Sequence, residues 1–114
     1  MSNLIAGLAA FEANDYANAF KLLKPLADQG DAEAQCIIGN MYDLGLGLER
    51  DIIKAVEWYR KSAEQGYGLA SNNLGTIFKS GREGILMDRV ESNKWYQKAR
   101  EQGFMHSPLI GLDN

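Results

Sequence analysis

Residues 31–66 read DAEAQCIIGNMYDLGLGLERDIIKAVEWYRKSAEQG, and residues 67–103 read YGLASNNLGTIFKSGREGILMDRVESNKWYQKAREQG. Laid side by side, the two stretches repeat each other. Ala34 falls on Ala70, Ile38-Gly39 on Leu74-Gly75, Tyr42 on Phe78 and Gly45 on Gly81. Gly47 then falls on Gly84, Asp51 on Asp88, Trp58-Tyr59 on Trp95-Tyr96, Lys61 on Lys98 and Gln65-Gly66 on Gln102-Gly103. The offset is 36 before the loop and 37 after it, one residue being inserted near Arg82-Glu83. A fixed period of this length marks an architecture of stacked repeats, in which each unit is covered by its neighbours.

A partial third copy comes first. Asp15, Ala19, Leu22, Ala27 and Gly30 fall on Asp51, Ala55, Trp58, Ala63 and Gly66. After Gly103 a fourth copy begins and degrades, with Ser107 where Ala34 and Ala70 stood. The chain therefore reads as a single repeat domain over 1–114. It divides into an N-terminal hairpin (1–30), two full units (31–66 and 67–103) and a degenerate C-terminal cap (104–114), because an end unit has no neighbour on its outer side.

Each unit reads as two helices. Ile52, Ala55, Val56, Tyr59 and Ala63 recur at helical spacing. Asp15, Asp51 and Asp88 each precede a second helix, where a carboxylate accepts from free N–H groups of the first turn. Asp88 with Glu91 has the spacing of a capping box. Gly30, Gly66 and Gly103 follow the second helices, and Gly45 and Gly81 the first, where left-handed backbone is favoured. The predicted helices are 3–13, 16–28, 32–44, 52–65, 68–79 and 89–101, with Ser107-Pro108 opening a last turn. Gly39 and Gly75 lie inside first helices at a cost of about 1 kcal/mol each against Ala. Close approach of the paired second helix is the simplest compensation. Trp58 and Trp95 are expected in the core, bridging one hairpin to the next, so that Trp58→Ala would cost ~3–5 kcal/mol.

The pattern Ala-x-x-x-Leu/Ile-Gly-x-x-Tyr/Phe, Gly-x(1,2)-Gly, Asp, Ala, Trp-Tyr, Lys, Gln-Gly resembles the Sel-1-like repeat, a relative of the tetratricopeptide repeat. The first unit, with Gly7, Asn14, Asp15, Tyr16 and Ala19, is closer to the tetratricopeptide type because it lacks the longer loop. The resemblance implies an all-α fold: a short right-handed α/α superhelix, a solenoid of about three antiparallel helix pairs, with first helices on the concave face. It also implies a non-enzymatic interaction module, an adaptor or scaffold that binds a protein or peptide on that face. By analogy with related repeats, the face would show Glu33, Cys36, Asn40 and Asp43 from one unit, and Leu69, Asn72, Thr76 and Lys79 from the next. These positions are three to four apart and share one helical stripe. Of the adjacent pair Asn72 and Asn73, one is expected to face the trough. An Asn there can both donate to and accept from a peptide backbone. Such an array offers roughly 600–1,000 Å² to a partner. Small stand-alone proteins resembling these repeats also include bacterial immunity proteins, which occlude the active site of a secreted effector. That is the alternative reading.

Composition narrows the rest. The chain has 114 residues, 46% hydrophobic and 24% charged, the balance of an ordinary globular domain. Its net charge is −3 and its pI about 5.1, against a nucleic-acid footprint. Residues 1–50 carry 3 Lys and Arg against 7 Asp and Glu, net −4, and residues 51–114 carry 9 against 8, net +1. One Cys (Cys36) and one His (His106), far apart in the array, suggest no disulfide, metal site, cofactor or catalytic pair. Cys36 is expected to be buried and inert. Gly45-Leu46-Gly47 follows a helix rather than a strand and fails the dinucleotide context. Glu49 and Asp51 imply no pocket and read as loop and cap. Leu4–Phe11 is the longest apolar run, well short of the ~20 residues that span a membrane. Met1, Ser2 and Asn3 give no basic leader region. A cytoplasmic location is expected, or a periplasmic one had a leader been removed. Apolar end units also make a homodimer plausible.

Overall fold

The computed structural model describes residues 2–104. Its regular elements are six α-helices: α1 (Asn3–Glu12), α2 (Tyr16–Asp28), α3 (Ala32–Leu44), α4 (Ile52–Glu64), α5 (Gly68–Ser80) and α6 (Arg89–Glu101). They form three hairpins, α1–α2, α3–α4 and α5–α6, joined through α2–α3 and α4–α5. The body is elongated, 47 × 28 × 23 Å. This is an all-α repeat solenoid, as the sequence period requires. The anticipated last turn at Ser107-Pro108 and the cap beyond Phe104 lie outside the described residues.

The helix starts follow from their caps. Side chains of Asp15, Asp31, Asp51 and Asp88 accept from the N–H groups of Asn18, Ala34, Lys54 and Glu91 at 3.4, 2.9, 3.1 and 3.0 Å. The capping box at α6 closes on one side only. The Glu91 carboxylate turns away and accepts from Trp95 Nε1 at 3.0 Å. At the end of α3, Gly45 takes the left-handed conformation (φ 68°) and turns the chain into the long loop.

Within each hairpin an aromatic ring meets a glycine. A Cβ on Gly39 would lie 2.6 Å from the Tyr59 ring, and one on Gly75 would lie 2.6 Å from the Tyr96 ring. The interior glycines are therefore there for close approach. Buried serines fasten the same pairs: Ser62 Oγ donates to the Ala32 carbonyl and Ser92 Oγ to the Gly75 carbonyl, both at 2.7 Å.

Between hairpins the fastening is different. Gln65 Nε2 donates to the Gly30 carbonyl at 2.7 Å, and Gln102 Nε2 to the Ala63 carbonyl at 3.2 Å. The Gln of each Gln-Gly pair thus reaches back to the end of the previous unit's second helix. Two apolar clusters lie along the rod. One, around Leu23, Ile38 and Met41, serves the first three helices, and the other, around Tyr59, Leu74 and Trp95, serves the last four. Trp95 is fully in the core at 2% exposure. Trp58 departs from expectation: it packs against the first cluster but is only half-buried, with Lys61 and Lys24 over its ring.

Candidate functional site

The first helices α3 and α5 lie beside each other. Asn73 Nδ2 reaches across to Asn40 Oδ1 at 3.4 Å and to Cys36 Sγ at 3.9 Å. Of the adjacent asparagines, Asn73 belongs to this joint.

The eight residues expected on the face divide into two groups. Leu69, Thr76 and Lys79 are exposed along α5, and Glu33 and Asn72 are half-buried. Thr76 Oγ1 donates to the Asn72 carbonyl at 3.1 Å and lies 2.9 Å from the Tyr96 hydroxyl. The second group is structural. Tyr59 is buried, and its hydroxyl donates to Asn40 Oδ1 at 2.6 Å and to Asp43 Oδ2 at 3.0 Å. Asp43 Oδ1 also accepts from Arg82 Nη1 at 3.0 Å. The core therefore does use Asn40 and Asp43, which the polar character of the stripe had hidden. Burial, then the Asp43 charge, hold the Tyr59 phenol well above its ordinary range.

Cys36 is a correction to the stripe, and its expected burial is observed. It is 1% exposed, in the second core cluster rather than on a face. Burial, with the Glu33 carboxylate adding to it, pushes its thiol up to about 12, so the thiolate needed for nucleophilic chemistry is suppressed at neutral pH.

Glu49 and Asp51, expected to line no pocket, do line one. With Tyr42, Arg50 and Lys54 they surround a space of about 360 Å³ at the α3–α4 loop. Three of its four charged residues are already engaged. Asp51 caps α4 and Lys54 Nζ lies 5.4 Å from the Tyr42 ring centroid. Arg50 donates to the Asp43 carbonyl at 2.9 Å and to Glu83 at 3.2 Å. Among the described residues no group of three or more His, Cys, Asp or Glu side chains is placed to hold a metal. No helix of these residues is long and apolar enough to cross a membrane.

The partners that sequence reading missed are Tyr59, Tyr96, Arg82 and Asn73. Their signal is a hydroxyl or amide recurring opposite polar first-helix residues: Tyr59 over Asn40 and Asp43, Tyr96 over Thr76. It becomes visible only once the hairpins are built.

Known proteins give three points of comparison. The sequence model of a family described as Sel1 repeat matches residues 7–31, 32–67 and 68–104. A stretch of 68 residues is 41% identical to chitin synthase regulatory factor 3 of Schizosaccharomyces pombe, covering 59% of this chain and 7% of that protein. Over 63 residues the chain is 38% identical to a component of an ERAD-associated E3 ubiquitin-protein ligase of Arabidopsis thaliana, covering 54% and 9%. The crystal structure of a Sel1 repeat protein from Oxalobacter formigenes superposes with a TM-score of 0.81 at 41% identity, over 86% of this chain and 40% of that one. The chain thus spans under a tenth of the length of these curated relatives and under half of the solved one. Sel1 repeat proteins are in general protein–protein interaction adaptors.

Proposed function

Because the chain belongs to the Sel1 repeat family, we propose that it is a non-enzymatic adaptor whose first-helix face holds a segment of another protein. The observation that carries this reading is the free part of the stripe. Leu69, Thr76 and Lys79 are exposed on α5, while the opposite side of that helix is fully committed to the core through Leu74, Ile77 and Phe78. First helices of successive hairpins run in the same direction, so such stripes lie side by side. That arrangement suits an extended partner. Asn73 of α5 bonds to Asn40 of α3, and Tyr59 of α4 and Arg82, just past α5, both bond to Asp43 of α3; these contacts support a surface held ready rather than assembled on binding.

The test uses residues the fold does not need. Asn40 is unsuitable, because it accepts from both the Tyr59 hydroxyl and the Asn73 amide inside the fold. The double variant Leu69→Glu/Lys79→Glu reverses the character of the face and should keep the helical circular dichroism of the wild type. Affinity capture with mass spectrometry is run with both proteins. A polypeptide retained by the wild type and lost by the variant is the expected result. Retention of the same polypeptides by both proteins would remove the first-helix face from the account.

A further inference from the structure

We infer that the outer face where α4 meets α6, with Arg60 of α4 over Trp95 and Glu91 of α6, is a second docking surface, which takes an acidic segment of a partner protein. It is built on second helices and does not depend on the first-helix reading. The chain is acidic overall, but its charge is sorted by element. Helices α2, α4 and α6 carry nine Lys and Arg against five Asp and Glu, net +4. Helices α1, α3 and α5 carry one against three, net −2. The excess is densest around Trp95. The Arg60 guanidinium lies 5.6 Å from the ring centroid, and the Lys94 and Lys98 ammonium groups lie 5.4 Å from it.

Trp95 is buried, so the ring serves as a fixed floor that gathers the cations. Their heads stay in reach of solvent, with the side chains of Arg60 and Lys94 40% and 55% exposed. Among the described residues, Glu91 is the carboxylate within ion-pair reach of this group, 4.0 Å from Arg60 and 3.7 Å from Lys94. It is also engaged by Trp95 Nε1. Three cations against one contacting carboxylate leave the cluster over Trp95 with an excess of two positive charges, and α4 with α6 as a whole carry seven Lys and Arg against four Glu. One unit earlier the excess is a single charge: Lys61 and Lys24 lie 4.4 and 5.5 Å from the Trp58 centroid, and Asp28 pairs with Lys24 at 3.0 Å. The larger excess therefore lies on the α4–α6 face.

An occupant that supplies carboxylates would relieve the mutual repulsion of cations held together by the indole. Lys94 and Lys98 are one helical turn apart, so two carboxylates at about 6 Å spacing answer them. A net charge of −3 and acidic loops repel a long polyanion or an anionic membrane at a distance. A short segment lying on this face meets the local excess instead.

The probe is a fluorescein-labelled oligo-glutamate peptide, followed by anisotropy at low and high salt. Trp95 emission is read in the Trp58→Phe background. A single-stranded oligonucleotide and phosphatidylserine vesicles are tested beside it. The wild type should bind the peptide, shift Trp95 emission and release the peptide as salt rises. Lys94→Glu/Lys98→Glu should weaken binding about tenfold or more and flatten the salt dependence. Lys21→Glu/Lys54→Glu makes the same change in net charge away from Trp95 and should keep binding near the wild-type value. Lys98→Gln gives the same reading with a smaller loss if the double reversal fails to fold. Absence of peptide binding, equal loss in both double variants, or tighter binding of the oligonucleotide or the vesicles overturns the inference.

Discussion

Tyr59 and Tyr96 set how closely the two helices of a hairpin approach, and Gly39 and Gly75 are the price of that closeness. Gly39→Ala gains about 1 kcal/mol of helix propensity but drives a methyl group into the Tyr59 ring, an overpacking term of about 1–3 kcal/mol. A net loss of about 1–2 kcal/mol is expected, read as a lower urea midpoint with an unchanged m-value. Cys36 makes a second prediction. Burial, with the Glu33 charge adding to it, holds its thiol at about 12 in the fold, well above its ordinary value. A raised acid pKa leaves stability intact below the unfolded value and removes it as pH climbs toward the folded one. The urea midpoint should therefore hold steady to about pH 8.5 and fall between about 9 and 12, and Cys36→Ala should reduce the slope. The recurrence of Gly39 and Gly75 announced their close packing, because each repeats in register inside a helix. The roles of Asn40 and Asp43 were not legible. A polar residue that faces a tyrosine hydroxyl and one that faces water look alike in a sequence.

At the scale of elements, the helix bounds were readable nearly to the residue because stop and start signals are chemical. An Asp ahead of each second helix caps it, and a Gly behind each helix from α2 onward ends it, with Asn14 (φ 62°) in that place after α1. The fastening between units was less legible. Gln65 and Gln102 recur beside a glycine, which suggested helix termination alone. Their amides in fact tie each hairpin to the last turn of the preceding second helix, a contact between residues 35 and 39 positions apart. The tryptophans separate in the same way. Both occupy one register position, but Trp95 is enclosed and Trp58 keeps an edge in solvent. Trp95→Ala should cost ~3–5 kcal/mol, and Trp58→Ala about half of that, in paired denaturation curves. Equal losses would mean that the two joints are packed alike.

Over the whole molecule, the period alone dictated a rod of stacked hairpins, since units of this size bury their apolar sides only against one another. What the period left undecided was the distribution of charge, because sequence halves cut across helices. Sorted by helix, nine of the cations fall on the second-helix side, and the exposed first-helix residues are left with a mixed, weakly charged stripe. Two surfaces of different chemistry on one small rod suit the proposed adaptor role. The central claim, that a partner polypeptide lies along the first helices, is tested most directly by site-specific photocrosslinking. A benzophenone side chain is placed at Leu69 or Thr76 on α5, and at Lys21 on α2 as the opposite-side control. Crosslinks to one partner from Leu69 and Thr76, with none from Lys21, are the predicted result. Crosslinks from Lys21 alone would contradict the account.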